Sequence, residues 1–376
     1  MLHPSDIYDD LGVTKVINGA ATLTRLGGSI MQPEVLAAMA EAAQHFIDIN
    51  ELQKKVGERL AAWTHNEAAY VSSGAAAGLA LSTAACITGL DEQKRERLPY
   101  TEGMKNEIII QRRGYVGYAF AIRQAGGVLV QIGDEEGTTA EEMEDAINDR
   151  TAAIVYFDNP ARMPGQVPLD QGIEIAHRAG IPVVVDAAAQ IPPVENLWRY
   201  TQMGADLALF SGGKGLRGPQ SSGLILGRKD LIEACAFNAC PRAFIGRPMK
   251  VGKEELIGLM TAVRLYLDLD HEALMQSYED QVQEVMAAFA DTPYVTARRS
   301  FPSEAGQPMP RAEIILDEAS LGLTRDTVME QLAGGDPSII LAEAGAHGLF
   351  VNPQTLAAGQ VEIIIDRIKE ILSDRA

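Results

Sequence analysis

A chain of 376 residues is too long for one small core and suggests two domains, or one large domain with a smaller appendage. Its 47% hydrophobic and 22% charged residues exclude disordered and fibrous classes. A formal net charge of −19 repels phosphate backbones and argues against a nucleic-acid partner.

In chain order, Met1-Leu2-His3-Pro4-Ser5-Asp6 shows no basic region followed by an apolar core, so no signal peptide is expected. No window approaches about 18 uninterrupted apolar residues, so no membrane span is expected and the protein reads as cytoplasmic. Residues 33–62 read as one helix or two, with Val35, Leu36, Met39, Ala43 and Phe46 at helical spacing. Small apolar residues over 74–87 suit a buried helix, started by Ser72-Ser73-Gly74. Short apolar runs at 108–110, 128–132, 153–157, 183–185, 207–210 and 223–226 read as buried strands. The segments 117–124, 140–148 and 171–179 between them have helical composition. This alternation implies a mostly parallel sheet with right-handed crossovers. Residues 253–290 read as a long helix with a break near Asp270. Short strands follow from Tyr294, then a Pro- and Gly-rich loop at 301–310 and a last helix at 359–373. The expected division is an N-terminal arm and helix (1–50), a large domain (51–255), and a linking helix with a small C-terminal domain (256–376). Cys86, Cys235 and Cys240 fit neither a disulfide framework nor a zinc site, so no metal is expected and they read as small residues in a reducing compartment. Cys240, before Pro241 on a loop, leaves a reactive role open.

Three segments carry chemistry. Ser211-Gly212-Gly213-Lys214-Gly215 follows an apolar strand and sets one lysine among glycines, which lets a bulky ring approach the backbone; Ser211 is a donor to phosphate. The plain alternative is a glycine-rich surface loop with a solvated lysine. Asp186 ends the apolar run Val183-Val184-Val185, where parallel sheets place ligands. A carboxylate buried there needs a cationic partner, and a protonated pyridine nitrogen is one. Otherwise it caps the next turn. Tyr70-Val71-Ser72-Ser73-Gly74-Ala75 runs from a strand end into an alanine-rich helix whose free N–H groups and dipole make an anion site. It matches a dinucleotide fingerprint poorly and has no Walker lysine, so a monophosphate fits better.

A phosphate cradle, then an aspartate, then a lysine, all on strand ends, resembles the fold type I pyridoxal 5′-phosphate (PLP) enzymes from about residue 10 onward. Within them the chain is most similar to the selenocysteine-synthase-like branch, which includes L-seryl-tRNA selenium transferase-like and D-glucosaminate-6-phosphate ammonia-lyase-like proteins. The residues that carry this are Val16-Ile17-Asn18-Gly19-Ala20-Ala21 with Leu26-Gly27-Gly28-Ser29, then Ser211-Gly212-Gly213-Lys214 with Gly218-Pro219-Gln220, and Arg247-Pro248-Met249-Lys250. The resemblance implies an α/β fold of the aspartate aminotransferase type: a mostly parallel seven-stranded sheet in a large domain plus a small α/β C-terminal domain. It implies Lys214 as the amine that carries PLP, Asp186 at the pyridine nitrogen, and Ser72, Ser73, Gly74, Ala75 and Ser211 around the phosphate. Arg113 and Tyr115 are alternatives for stacking on the ring, with Arg112 beside them. Gln190 and Asn159 are alternatives for the 3-hydroxyl, because Ala187, Ala188 and Ala189 fill the positions where many relatives carry His or Gln. Asn18, Thr24 and Arg25 would line a substrate entrance, and Arg247 and Lys250 would meet substrate or phosphate anions, reaching even a neighbouring subunit.

Residues 345–353 contain no arginine, which weighs against transamination. The chain lacks the extra N-terminal region of selenium transferases, which with its acidity weighs against tRNA. The resemblance then implies a lyase performing α,β-elimination of a small or sugar-derived β-substituted amino acid, releasing ammonia and a 2-keto acid. A racemase or β-replacement transferase is the alternative on the same site, and a non-catalytic PLP-fold binding protein is the alternative of another class. A homodimer or higher homo-oligomer is expected, since alanine-rich helices can supply a two-fold surface.

Overall fold

The computed structural model describes residues 7–159 and 164–373. Twelve strands run along these residues: β1 (Val16–Gly19), β2 (Ala68–Ser72), β3 (Glu107–Gln111), β4 (Val128–Ile132), β5 (Thr151–Phe157), β6 (Val183–Asp186), β7 (Leu207–Ser211), β8 (Gly223–Gly227), β9 (Val295–Ser300), β10 (Arg311–Leu316), β11 (Ser338–Ala344) and β12 (Gly348–Val351). They form two sheets in two units. One unit comprises Ser29–Leu269 with Glu304–Gln307, and the other Met1–Gly28, Asp270–Ser303 and Pro308–Ala376.

The first unit holds seven strands in the order β2-β8-β7-β6-β5-β3-β4. Strands β4, β3, β5, β6 and β7 are parallel; β8 runs antiparallel to both β7 and β2. This is the mostly parallel seven-stranded sheet that the family resemblance implied. Its central strands are apolar on both faces because both faces are covered. Alternate residues divide between two cores. Val183, Val185, Ile109, Ile154 and Phe210 join the helices Ile49–Trp63 and Lys253–Leu267 on one side. Val184, Ile108, Ile110, Val155 and Leu209 join the helix Ala75–Thr88 on the other. That helix is buried along most of its length, which its small residues permit.

The helical stretch 33–62 is two helices, Pro33–Ala43 and Ile49–Trp63. Asp48 starts the second by accepting from the Asn50 and Glu51 N–H groups. Asp270 breaks the later helix into Lys253–Leu267 and His271–Phe289 and caps the second piece through the Ala273 N–H.

The second unit holds five strands in the order β1-β11-β12-β10-β9. Strand β1 is parallel to β11 and the other pairs are antiparallel. Phe289, Ile314, Leu341, Ile364 and Ile368 form its core. The N-terminal segment belongs to this unit because β1 completes its sheet.

Candidate active site

The parallel strands of the first unit deliver their last residues to one sheet edge, where α/β folds bind ligands. Ser72 ends β2 and pairs with Gly223 at the start of β8, which pairs in turn with Ser211 at the end of β7. Asp186 ends β6 and pairs with Leu209 on β7. Ser72, Gly223 and Ser211 therefore stand abreast, with Asp186 one strand further along. Lys214 follows in the turn that joins β7 to β8.

Backbone bonds close that turn: Gly212 N–H to Ser222 O (2.8 Å), Gly218 N–H to Gly212 O (2.8 Å) and Arg217 N–H to Lys214 O (2.9 Å). The expectation that the glycines beside Lys214 leave room for a ring is corrected here. A Cβ on Gly213 would lie 2.6 Å from Gln220 Cα, and one on Gly215 would lie 2.2 Å from Ile191 O. Protein backbone already fills those faces. The glycines let the lysine turn pack, and the approach to Lys214 is not through them.

Asp186 is 8% exposed, and its Oδ1 accepts from Ala188 N–H at 3.1 Å. Burial pushes its carboxyl up to about 6, with the Ala188 bond and Lys214 pulling the other way. Burial also lowers the pKa of the Lys214 amine, opposed by the carboxylates of Asp186 and Glu304. Acid and amine thus feel each other, and desolvation works against the charged form of each.

The helix Ala75–Thr88 begins at Gly74, whose φ of 132° few other residues adopt, and no side chain caps it. Ser72 Oγ donates to Gly74 O at 2.9 Å, shaping the turn through Ser73 to Ala75. A Cβ on Gly223 would lie 2.4 Å from the Gly74 carbonyl carbon, so β8 reaches this turn only through a glycine.

Gln190 is buried, and its Nε2 donates to Asp158 O (2.9 Å) and Ala305 O (2.8 Å). Asn159 directly follows Asp158, whose N–H donates to Asp186 O at 2.9 Å. The sequence reading passed over Asp158 itself. Its Oδ2 accepts from Tyr200 OH, and burial raises the pKa of both groups. Arg113 Nη1 donates to Glu135 O at 2.8 Å, holding the 134–137 turn, while Tyr115 packs against the second core beside Val116.

Arg247 and Lys250 line an open groove of about 1430 Å³ with Lys54, Glu58, Tyr70 and Arg242; neither Asp186 nor Lys214 lines it. That groove is therefore distinct from the surroundings of Asp186 and Lys214. Asn18, Thr24 and Arg25 belong to the second unit. There Asn18 Oδ1 accepts from Ala20 N–H (3.0 Å) and its Nδ2 donates to Ala21 O (2.9 Å). Thr24 and Arg25 occupy the short helix Thr24–Leu26.

The chain is similar to several known proteins. A family model described as L-seryl-tRNA selenium transferase (SelA) matches residues 16–278. D-glucosaminate-6-phosphate ammonia lyase of Salmonella typhimurium (strain 14028s / SGSC 2262) is 35% identical, over 99% of each chain. A 5′-C-glycyluridine monooxygenase-decarboxylase of a Streptomyces species is also 35% identical, over 98% of this chain and 92% of its own. A solved structure of D-glucosaminate-6-phosphate ammonia-lyase superposes with a TM-score of 0.88 at 33% identity, covering 99% of this chain and 100% of that one. The fold is that of the fold type I PLP-dependent enzymes.

Proposed function

The chain belongs to the L-seryl-tRNA selenium transferase family, and from that premise we propose that it is a PLP-dependent lyase. It would deaminate a small or sugar-derived β-substituted amino acid to a 2-keto acid by α,β-elimination. The observation that carries this reading is a buried carboxyl, Asp186, and a half-buried amine, Lys214, at one sheet edge, each within electrostatic reach of the other. The printed activity of the Salmonella relative supports the reaction class.

The residues present fit the cofactor. A carboxyl raised to about 6 by burial suits a protonated ring nitrogen, whose positive charge would restore its ionised form. An amine whose pKa burial lowers offers the neutral form that bonds to an aldehyde. The uncapped N–H groups at the start of Ala75–Thr88 suit a phosphate. Lys214, Asp186 and the Ser72–Ala75 turn with Ser211 would therefore hold PLP. Gln190 and Asn159 are the candidates beside its hydroxyl, and Tyr115 or Arg113 the candidates beside its ring. When bound, PLP supplies an electron sink for the carbon that bears the substrate's amine.

The chain's own groups do the rest. Asp186 fixes a negative charge where the ring needs one. Lys214 takes the proton from the substrate carbon as a neutral amine and holds it on Nζ. Asn18, Thr24 and Arg25 are proposed for substrate contacts, and Arg247 and Lys250, which line a groove without Asp186 or Lys214, are proposed to meet substrate or phosphate anions of a neighbouring subunit. We place the enzyme in the cytoplasm as a homodimer or larger homo-oligomer. Three free cysteines agree with a reducing compartment, and none of the described helices is long and apolar enough to cross a membrane.

The test is release of ammonia and 2-keto acid across a panel of β-substituted amino acids of both hands. The wild-type protein with PLP should turn over at least one member, and Lys214→Ala should turn over none. Equal turnover by Lys214→Ala would remove this lysine from the chemistry.

A further inference from the structure

Residues 29–30, where the chain first joins the seven-stranded unit, are fastened to the turn that carries Lys214. Each side supplies one donor. Ser29 Oγ donates to Gly213 O at 3.1 Å, and Arg217 Nε donates to Ile30 O at 3.0 Å. Gly213 O belongs to the peptide whose N–H is that of Lys214. The carbonyl of the next peptide, Lys214 O, accepts the Arg217 N–H at 2.9 Å. Both peptides that flank the lysine are therefore tied, one by Ser29 and the other by the residue that grips Ile30. Two further faces of the turn are backed by protein, since Cβ atoms on Gly213 and Gly215 would meet Gln220 Cα and Ile191 O.

Arg217 occupies a position that suits another residue better. Its φ is 55°, in the left-handed region where glycine is unstrained and longer side chains are not. Its bond to Ile30 O is solvent-exposed, and such a bond adds little to net stability. Stability alone would place glycine here, so the arginine is explained by what its side chain holds.

We propose that Ser29 and Arg217 are positioning residues of the reaction: they clamp residues 29–30 onto the lysine turn and fix the backbone from which the Lys214 stem departs. The proposal rests on Lys214 being the reacting amine. That amine rides on a flexible four-carbon stem, and the clamp fixes the root of the stem without touching Nζ. A misplacement of about 1 Å at reacting atoms costs on the order of 100-fold in rate, so a smaller freedom at the root still matters at the tip.

The experiment follows PLP uptake by the full chain freed of cofactor, through visible absorbance, with urea unfolding of the same samples. Ser29→Ala and Arg217→Gly should each take up PLP about tenfold more slowly, and visible circular dichroism of the loaded chains should weaken as the ring is held less firmly. Ser29→Thr, which keeps the hydroxyl, should restore the wild-type rate. The urea midpoint of Arg217→Gly should stay at or above wild type, because glycine relieves the left-handed backbone. That variant keeps the test valid even if Ser29→Ala folds poorly. Wild-type uptake in Arg217→Gly, or uptake that slows only in step with a lowered urea midpoint, would overturn the clamp and leave the functional reading intact. If Lys214→Ala took up PLP with the wild-type band, the functional reading would fall as well.

Discussion

Burial raises the Asp186 carboxyl from its ordinary 3.8 to about 6. Between those values the folded chain keeps a proton that the unfolded chain has released, so stability falls as pH rises through this window. Without cofactor, Asp186→Asn should therefore stabilise the protein at neutral pH by on the order of 2 kcal/mol, with no gain near pH 4. Its Oδ1 would still accept the Ala188 N–H. Urea unfolding of both proteins at the two pH values checks this, and a variant less stable at neutral pH would contradict it. Asp186 and Lys214 were legible in the sequence because an acid ending an apolar strand, and a lysine among glycines after another, are local patterns. The partners of Asp158 and Gln190 were not. Tyr200 lies 42 residues from Asp158, and Ala305 lies 115 from Gln190, and no local spacing connects them. The flanking glycines were visible, but what fills their Cβ positions depends on the folded backbone.

Individual elements hold the site edge in place through close contacts. Gly223 lets β8 pass within 2.4 Å of the Gly74 carbonyl carbon, measured from the Cβ it lacks. Gly223→Ala must push β8 away from the turn that starts Ala75–Thr88. It should cost about 1–3 kcal/mol and weaken PLP binding, measured by urea unfolding and cofactor titration; unchanged affinity would show that this turn does not hold the phosphate. Tyr200, on the helix Asn196–Gln202, donates to Asp158 just beyond β5. Tyr200→Phe leaves a half-buried carboxyl short of a donor, and urea unfolding should show a loss of about 1–3 kcal/mol. The central strands were legible because burial on both faces demands unbroken apolar runs, as in Val183–Asp186. Strand β1 was not: its four residues, VING, are too few and too mixed to show a period. Its strand character comes from pairing with β11, more than 300 residues on, at Val16 and Ser338.

For the molecule as a whole, family and charge pull in different directions. The family model is named for an enzyme that acts on seryl-tRNA, but the chain carries a formal charge of −19. Electrostatic attraction dominates nucleic-acid binding at low salt, so a gel-shift titration with tRNA at low ionic strength should give no complex; a stable complex would require a basic surface that the sequence does not reveal. The fold class was legible from the strand–helix alternation. The association of 304–307 with the seven-stranded unit was not, because a Pro- and Gly-rich loop carries no pattern of its own and two buried glutamines determine where it packs. The central claim is that Asp186 and Lys214 together hold PLP. Its most direct measurement is borohydride trapping of the PLP-loaded protein followed by peptide mass mapping. The pyridoxyl label should fall on Lys214, with much weaker loading in Asp186→Asn. A label spread over surface lysines, or none at Lys214, would contradict the account.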